Sequence, residues 1–392
     1  MGRPLSVLHF SNTLARGGTE EHILILLRGL SRAHFRLHLV CTPEVAEKVQ
    51  PDLPPDVELL PLSLRRPSQL ASALRLAEII RKRRVDILHS HLFYSSLFAS
   101  PIGRLCRVPV ILETPHVREQ WRRGWKAHYA VDRLVGRSVD YYLANCHSNA
   151  RYLVEEKGLP ADKVVTIHHG DDLNRFSPAH RPPDGLRRSL GFGESDPVLI
   201  LIGRLEPQKG HRVLLEAFPI IRREFPEVRL VCVGDGALRE ELERQSAALG
   251  LAASVRFAGH QANVADWLAL GDLTVLPSFY EGLPLVPMES LAAGRPVVAT
   301  AVDGTPEIVI TGKTGFTVAP GDSTALAVAI CTLLRDSELR QEMGRAGRQW
   351  VLENFTQERL VQRTEEFYLT VWQRRARRRS APIADPREIG DR

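Results

Sequence analysis

The sequence predicts an α/β protein of two doubly wound, Rossmann-like domains, each a parallel sheet covered by helices, facing a cleft. Three observations carry this. Short β-rich apolar runs alternate with stretches of amphipathic spacing; the series breaks once, at a Pro-rich polar segment, and restarts; and 392 residues exceed what one hydrophobic core covers. Apolar residues at 44% and charged residues at 25% are ordinary globular values, which excludes a fibrous or wholly disordered chain.

In the first series the expected strands are Leu5 to Phe10, Leu37 to Cys41, Val57 to Leu60, Val85 to His89, Val108 to Leu112, Tyr141 to Ala144 and Val164 to Ile167. Helical spacing fills the gaps, as in Glu20 to Leu30 and Gln69 to Arg81. Strand-helix-strand repetition requires a parallel sheet buried on both faces. The segment Ser177-Pro178-Ala179-His180-Arg181-Pro182-Pro183-Asp184-Gly185 has no periodicity and reads as the hinge. The second series is Val198 to Ile202, Val228 to Val233, Val255 to Phe257, Leu273 to Leu276, Val297 to Ala299 and Phe316 to Val318. The expected domains are therefore 1–180 and 190–355, followed by a helix over 356–373 that packs back toward the first domain, and a basic, unstructured tail over 374–392.

The formal charge of +6 is uneven: +7 over residues 1–180, −5 over 181–373 and +4 over 374–392, where five arginines fall in six residues from Arg374 to Arg379. Such polarity suits an anionic partner, a membrane surface or a phosphate-bearing acceptor; no nucleic-acid motif accompanies it. No window approaches 18 uninterrupted apolar residues, and Met1-Gly2-Arg3-Pro4 runs straight into a strand without a secretory pattern, so a cytoplasmic protein, peripheral at the membrane face, is expected. The five cysteines are widely spaced, with no Cys-x-x-Cys pair, and read as reduced core residues.

Three segments carry chemistry. After the first strand, Gly17-Gly18 lets backbone approach a ligand and opens a helix whose free N–H groups suit an anion, although the spacing is not the Gly-x-Gly-x-x-Gly of dinucleotide folds. Gly203-Arg204-Leu205 follows a strand and leads to Lys209-Gly210 at a helix mouth, so Arg204 and Lys209 can converge on a diphosphate, each charge-assisted bond contributing roughly 1.5–3 kcal/mol. Glu281-Gly282-Leu283 precedes another helix that contains Glu289; two carboxylates so separated can bind two sugar rings while the Gly282 and Leu283 amides face phosphate.

In this order the segments resemble the large retaining glycosyltransferase family of GT-B fold called family 4, over nearly the whole chain. The resemblance implies that Arg204 and Lys209 hold the donor diphosphate, Glu289 the ribose hydroxyls, and Glu281 a place beside the transferred sugar. Gly17-Gly18-Thr19-Glu20 looks like the family's N-terminal loop, and His116 in Glu113-Thr114-Pro115-His116 matches a histidine near the donor sugar. His168-His169 replaces the usual Pro-Asn of the interdomain stretch. His89-Ser90-His91 ends a strand and could face the acceptor or cap a helix; no zinc-ligand spacing and no Asp-x-Asp accompany it, so neither metal nor other cofactor is expected.

The activity implied is that of a transferase moving a sugar from a nucleotide sugar to a glycan, lipid-linked or small-molecule acceptor with retention of configuration. His116 and Glu281 act at the sugar; Gly17, Gly18, Arg204, Lys209, Gly282, Leu283 and Glu289 bind the donor. A GT-B-fold epimerase, a phosphorylase or a non-catalytic nucleotide-sugar sensor would share the fold.

Overall fold

The computed structural model describes the chain apart from residues 1–2, 13–17, 65, 67, 117–125 and 381–392. It divides into two compact units. The first comprises residues 1–145, 150–167 and 360–392; the second comprises 146–149 and 168–359. The chain thus enters the second unit at His168 and returns to the first at Leu360, and the Pro-rich stretch 177–185, which composition marks as a hinge, lies inside the second unit.

The first unit is built on seven parallel strands: β1 (Leu5–Ser11), β2 (Phe35–Cys41), β3 (Glu58–Pro61), β4 (Ile87–His91), β5 (Val110–Thr114), β6 (Tyr141–Ala144) and β7 (Val164–Thr166). Their order is β3-β2-β1-β4-β5-β6-β7. Every residue of β1, β4 and β5 is buried, as a sheet covered on both faces demands. The apolar members of these runs are Leu, Val, Ile and Phe, each buried side chain contributing about 1.5–3 kcal/mol. Polar residues interrupt them at His9, His89, Ser90 and His91, all fully buried. The register places His9 beside His89 and Ser11 beside His91.

The second unit has six parallel strands: β8 (Val198–Ile202), β9 (Arg229–Val233), β10 (Val255–Gly259), β11 (Leu273–Leu276), β12 (Val297–Thr300) and β13 (Gly315–Val318). The order β10-β9-β8-β11-β12-β13 is the Rossmann order, with its topological switch point between β8 and β11. In the first sheet the switch point falls between β1 and β4.

The last helix, Gln357–Ser380, brings Leu360, Tyr368 and Val371 into the core of the first unit. Tyr368 is fully buried and its hydroxyl lies 2.6 Å from His89 Nδ1. This helix continues through the arginine run, past the end expected at 373, because arginine is a good helix former and nothing in Arg374–Ser380 breaks the pattern. Among the described residues no helix is long and apolar enough to cross a membrane.

Candidate active site

In the second unit the segments expected to bind the donor follow the strand ends at the switch point. After β8 the chain turns at Gly203, whose amide donates to the Val233 carbonyl at 2.9 Å, and runs through a short turn, Pro207–Lys209, to the helix His211–Glu224. Gly210 caps that helix at φ +67, and a side chain there would run into the Pro277 carbonyl oxygen. This turn is fastened to the segment after β11: Phe279 N donates to Gln208 O at 2.8 Å, and Gln208 Nε2 donates to Tyr280 O at 2.9 Å. Two neighbouring strand ends are thereby locked together.

The lock sets Lys209 Nζ 2.6 Å from Glu281 Oε1, which also accepts from Ser278 Oγ at 2.7 Å. Asp303 accepts from the Glu281 amide at 2.7 Å, and the Gly304 amide donates to the Gly282 carbonyl at 3.0 Å, fixing the turn that leads into the helix Leu285–Ala292. Leu283 is buried and Gly282 half-buried. Arg204 extends into solvent, with Nη1 2.9 Å from Glu206 Oε1. The two cations whose spacing lets them converge are thus held by different carboxylates, 2.6 and 2.9 Å away respectively.

Glu289 is half-buried on its helix. Burial raises its carboxyl to about 8, the neighbouring Asp171 adds to the effect and Arg175 opposes it. A carboxyl so perturbed, on the helix that follows the turn at Glu281, is a candidate for ligand binding. Ser278, Asp303, Asp171 and Arg175 belong to the site's surroundings and are not recognisable from sequence, because each is a common surface residue type with no distinctive spacing.

In the first unit His116 follows β5 and is buried; its carbonyl accepts from Asn145 Nδ2 at 2.9 Å, and its Nε2 lies 3.1 Å from His91 Nδ1. His91 Nε2 in turn lies 3.0 Å from His9 Nδ1. The His22 ring, on the helix Gly18–Gly29, stands edge-on to His116 at 4.8 Å. His89 belongs to this layer but is tied elsewhere, to Tyr368 through Nδ1 and to Thr114 Oγ1 at 2.7 Å through Nε2. His9 and His22 join the layer without any motif to mark them, although a histidine inside an otherwise apolar buried strand is itself a signal. Gly18 is the first residue of its helix; Gly17 lies outside the described residues.

Among the described residues three groups have ligand atoms within 4.8 Å of one another: His9, His89 and His91; His22, His91 and His116; and His147, His168 and Glu307 in the second unit. In the last group Glu307 accepts from the His147 and Ser148 amides, both at 3.0 Å, and lies 2.9 Å from His168 Nε2. These bonds outweigh burial and hold its carboxyl below the usual range.

Residues 184–350 match the glycosyl transferases group 1, and residues 16–175 match glycosyltransferase family 4. A D-inositol 3-phosphate glycosyltransferase from Thermobispora bispora is 32% identical over 362 residues, covering 82% of this chain and 82% of the relative. The glycogen synthase of Mycobacterium tuberculosis is 31% identical over 314 residues, covering 77% and 73%. Among solved structures, HepE of Anabaena in complex with UDP matches with a TM-score of 0.83 at 21% identity, over 93% of this chain and 100% of that one. Two Rossmann-type parallel sheets, with a cation and carboxylates gathered at the second one's switch point, define a glycosyltransferase of GT-B fold. The chain belongs to the glycosyl transferases group 1, family 4.

Proposed function

We propose that the protein transfers a hexosyl group from a nucleotide sugar, with retention of anomeric configuration and without a metal ion, to a glycan, a lipid-linked or a small-molecule acceptor. The observation that carries the reading is the Lys209–Glu281 pair at the β8/β11 switch point, with the perturbed Glu289 on the helix that follows Glu281. There Lys209, Arg204 and the amides of Gly282 and Leu283 would meet the diphosphate, so charge developing on the leaving group finds donors already in place and needs no cation. Glu289 would bind the ribose hydroxyls; a carboxyl neutral near pH 7 can both donate and accept.

Glu281, held by Lys209 and Ser278, is assigned to the transferred sugar. His116 and the Gly17-Gly18 loop are assigned there from the first unit on family resemblance. Retention follows the family too, by attack on the face from which diphosphate leaves. UDP in the HepE structure favours a uridine nucleotide. The net positive first 180 residues, and the exposed Arg374 and Arg377 on the last helix, support contact with an anionic membrane surface at its cytoplasmic face.

The test is the thermal shift of the purified protein with UDP, GDP, ADP and their sugar conjugates, for the wild type, Arg204→Ala and Glu289→Ala. One nucleotide class should raise the melting temperature of the wild type and fail to do so in both variants. No shift with any nucleotide overturns the donor assignment. Sedimentation with anionic vesicles at low salt, lost in neutral vesicles, tests the membrane contact separately.

A further inference from the structure

Of the chain's 14 histidines, five are packed together and buried in the first unit: His9, His22, His89, His91 and His116, with ring centroids 4.3 to 5.9 Å apart for the neighbouring pairs. The glycosyltransferase reading gives a role to His116 alone. Three of the rings are joined end to end, His9 Nδ1 to His91 Nε2 at 3.0 Å and His91 Nδ1 to His116 Nε2 at 3.1 Å. Two nitrogens sharing a tetrahedral zinc at 2.0–2.1 Å would stand roughly 3.3 Å apart, so these separations fit hydrogen bonds better than a shared ion.

Burial alone lowers the His9 ring to about 3; burial, with the surrounding histidines, takes the His91 ring well below its ordinary value. Each is therefore neutral near pH 7, with one N–H and one lone pair. A row of such rings can be polarised in only two ways. If His116 donates to His91 and His91 to His9, the His9 proton sits on Nε2, which is buried and has no hydrogen-bond partner among the described residues. If His9 donates to His91 and His91 to His116, what Nε2 of His9 leaves unpaired is a lone pair. A buried N–H without an acceptor is the rarer and costlier defect, so the second direction prevails.

We infer that His9 and His91 form a one-way hydrogen-bond relay that fixes His116 as its Nδ1–H tautomer, so that His116 presents a donor, not a base, to the sugar. The sugar contact rests on the proposed transferase function; the tautomer does not. His9 and His91 are then positioning residues. The C-terminal ends of β1 and β4 give the relay its rigidity, since both are central strands paired to one another in register.

The test is long-range 15N correlation spectroscopy of the imidazole nitrogens in 15N-histidine-labelled full chain without substrate, with His116 assigned by His116→Asn. In the wild type, His116 should show a protonated Nδ1 and an unprotonated Nε2. His91→Gln, which keeps a donor and an acceptor, should preserve that pattern, and His91→Leu should turn it into a mixture of both tautomers. His91→Phe, closer in size to the imidazole, carries the same expectation should His91→Leu fail to fold, whereas His9→Leu should keep the single-tautomer pattern, since a lone pair stranded on His91 Nε2 is still less costly than a stranded N–H. A protonated Nε2 on wild-type His116, an unchanged spectrum in folded His91→Leu or His91→Phe, or one equivalent of copurifying zinc that is lost in His91→Leu would each overturn the relay. Because no substrate is present, failure here leaves the donor-binding test untouched, and failure there leaves the tautomer standing.

Discussion

Lys209 and Glu281 depend on each other. Only 17% of the lysine side chain and 7% of the glutamate is exposed, so deleting one charge strands the other where water cannot fully solvate it. Lys209→Met should lower stability by about 2 kcal/mol, below the full-burial value because Lys209 keeps some solvent contact. Adding Glu281→Gln should recover most of that loss but not nucleotide binding; chemical denaturation and calorimetry with UDP separate the two effects. Glu289 behaves in the opposite sense. Its folded value near 8 exceeds the ordinary carboxylic value, so the folded state retains a proton that the unfolded chain has released. Stability contributed by this group is therefore present at pH 4, falls as pH rises toward 8, and is flat beyond. Glu289→Gln should accordingly gain about 1–2 kcal/mol over the wild type at pH 8.5 and nothing at pH 4, in urea melts at the two pH values. The identities of these residues were legible in their spacing; the pairing was not, because Ser278, Asp303 and Asp171 reach the site through turns and a neighbouring loop whose geometry leaves no periodic trace.

At the scale of elements, Gly210 is the sharpest constraint. It combines a left-handed backbone with an approach to the Pro277 carbonyl that no Cβ permits, and it starts the helix behind Lys209. Gly210→Ala should cost about 2 kcal/mol or more and weaken donor binding together with stability, as thermal melts with and without UDP would show. Strand positions were legible because burial on both faces writes itself as continuous Val, Ile and Leu. Tyr141–Ala144, Val198–Ile202 and Leu273–Leu276 coincide with expectation to the residue. The fourth strand is shifted, Ile87–His91 in place of Val85 to His89, since Val85 packs before pairing begins and His91 looks polar although buried. The Pro-rich 177–185 stretch misled for a related reason: proline reports a local break in periodicity, and a break can lie within a unit as easily as at its edge. Arginine charge likewise suggested an unstructured tail where propensity sustains a helix to Ser380.

At the scale of the molecule, two units of parallel sheet followed from the repeated alternation, whereas the crossings at 145/146, 149/150, 167/168 and 359/360 could not, since they are set by which core a side chain completes. Leu360, Tyr368 and Val371 complete the first core. A chain ended after Arg359 should therefore lose the first unit's cooperative melt while the second unit's sheet persists, which protection of backbone amides from hydrogen exchange would resolve unit by unit. Tyr368→Phe is the gentler probe; it leaves the core filled and His89 one partner short, with an expected loss of about 1 kcal/mol in denaturant titration. The returning helix also bears on biosynthesis. Domains ordinarily fold in the order in which they leave the ribosome, but here the unit that emerges first lacks part of its own core until residues 360–371 have been translated. The second unit can finish before the first, so the nascent first sheet, with apolar surface still uncovered, is the stage of this protein's life that a chaperone would meet.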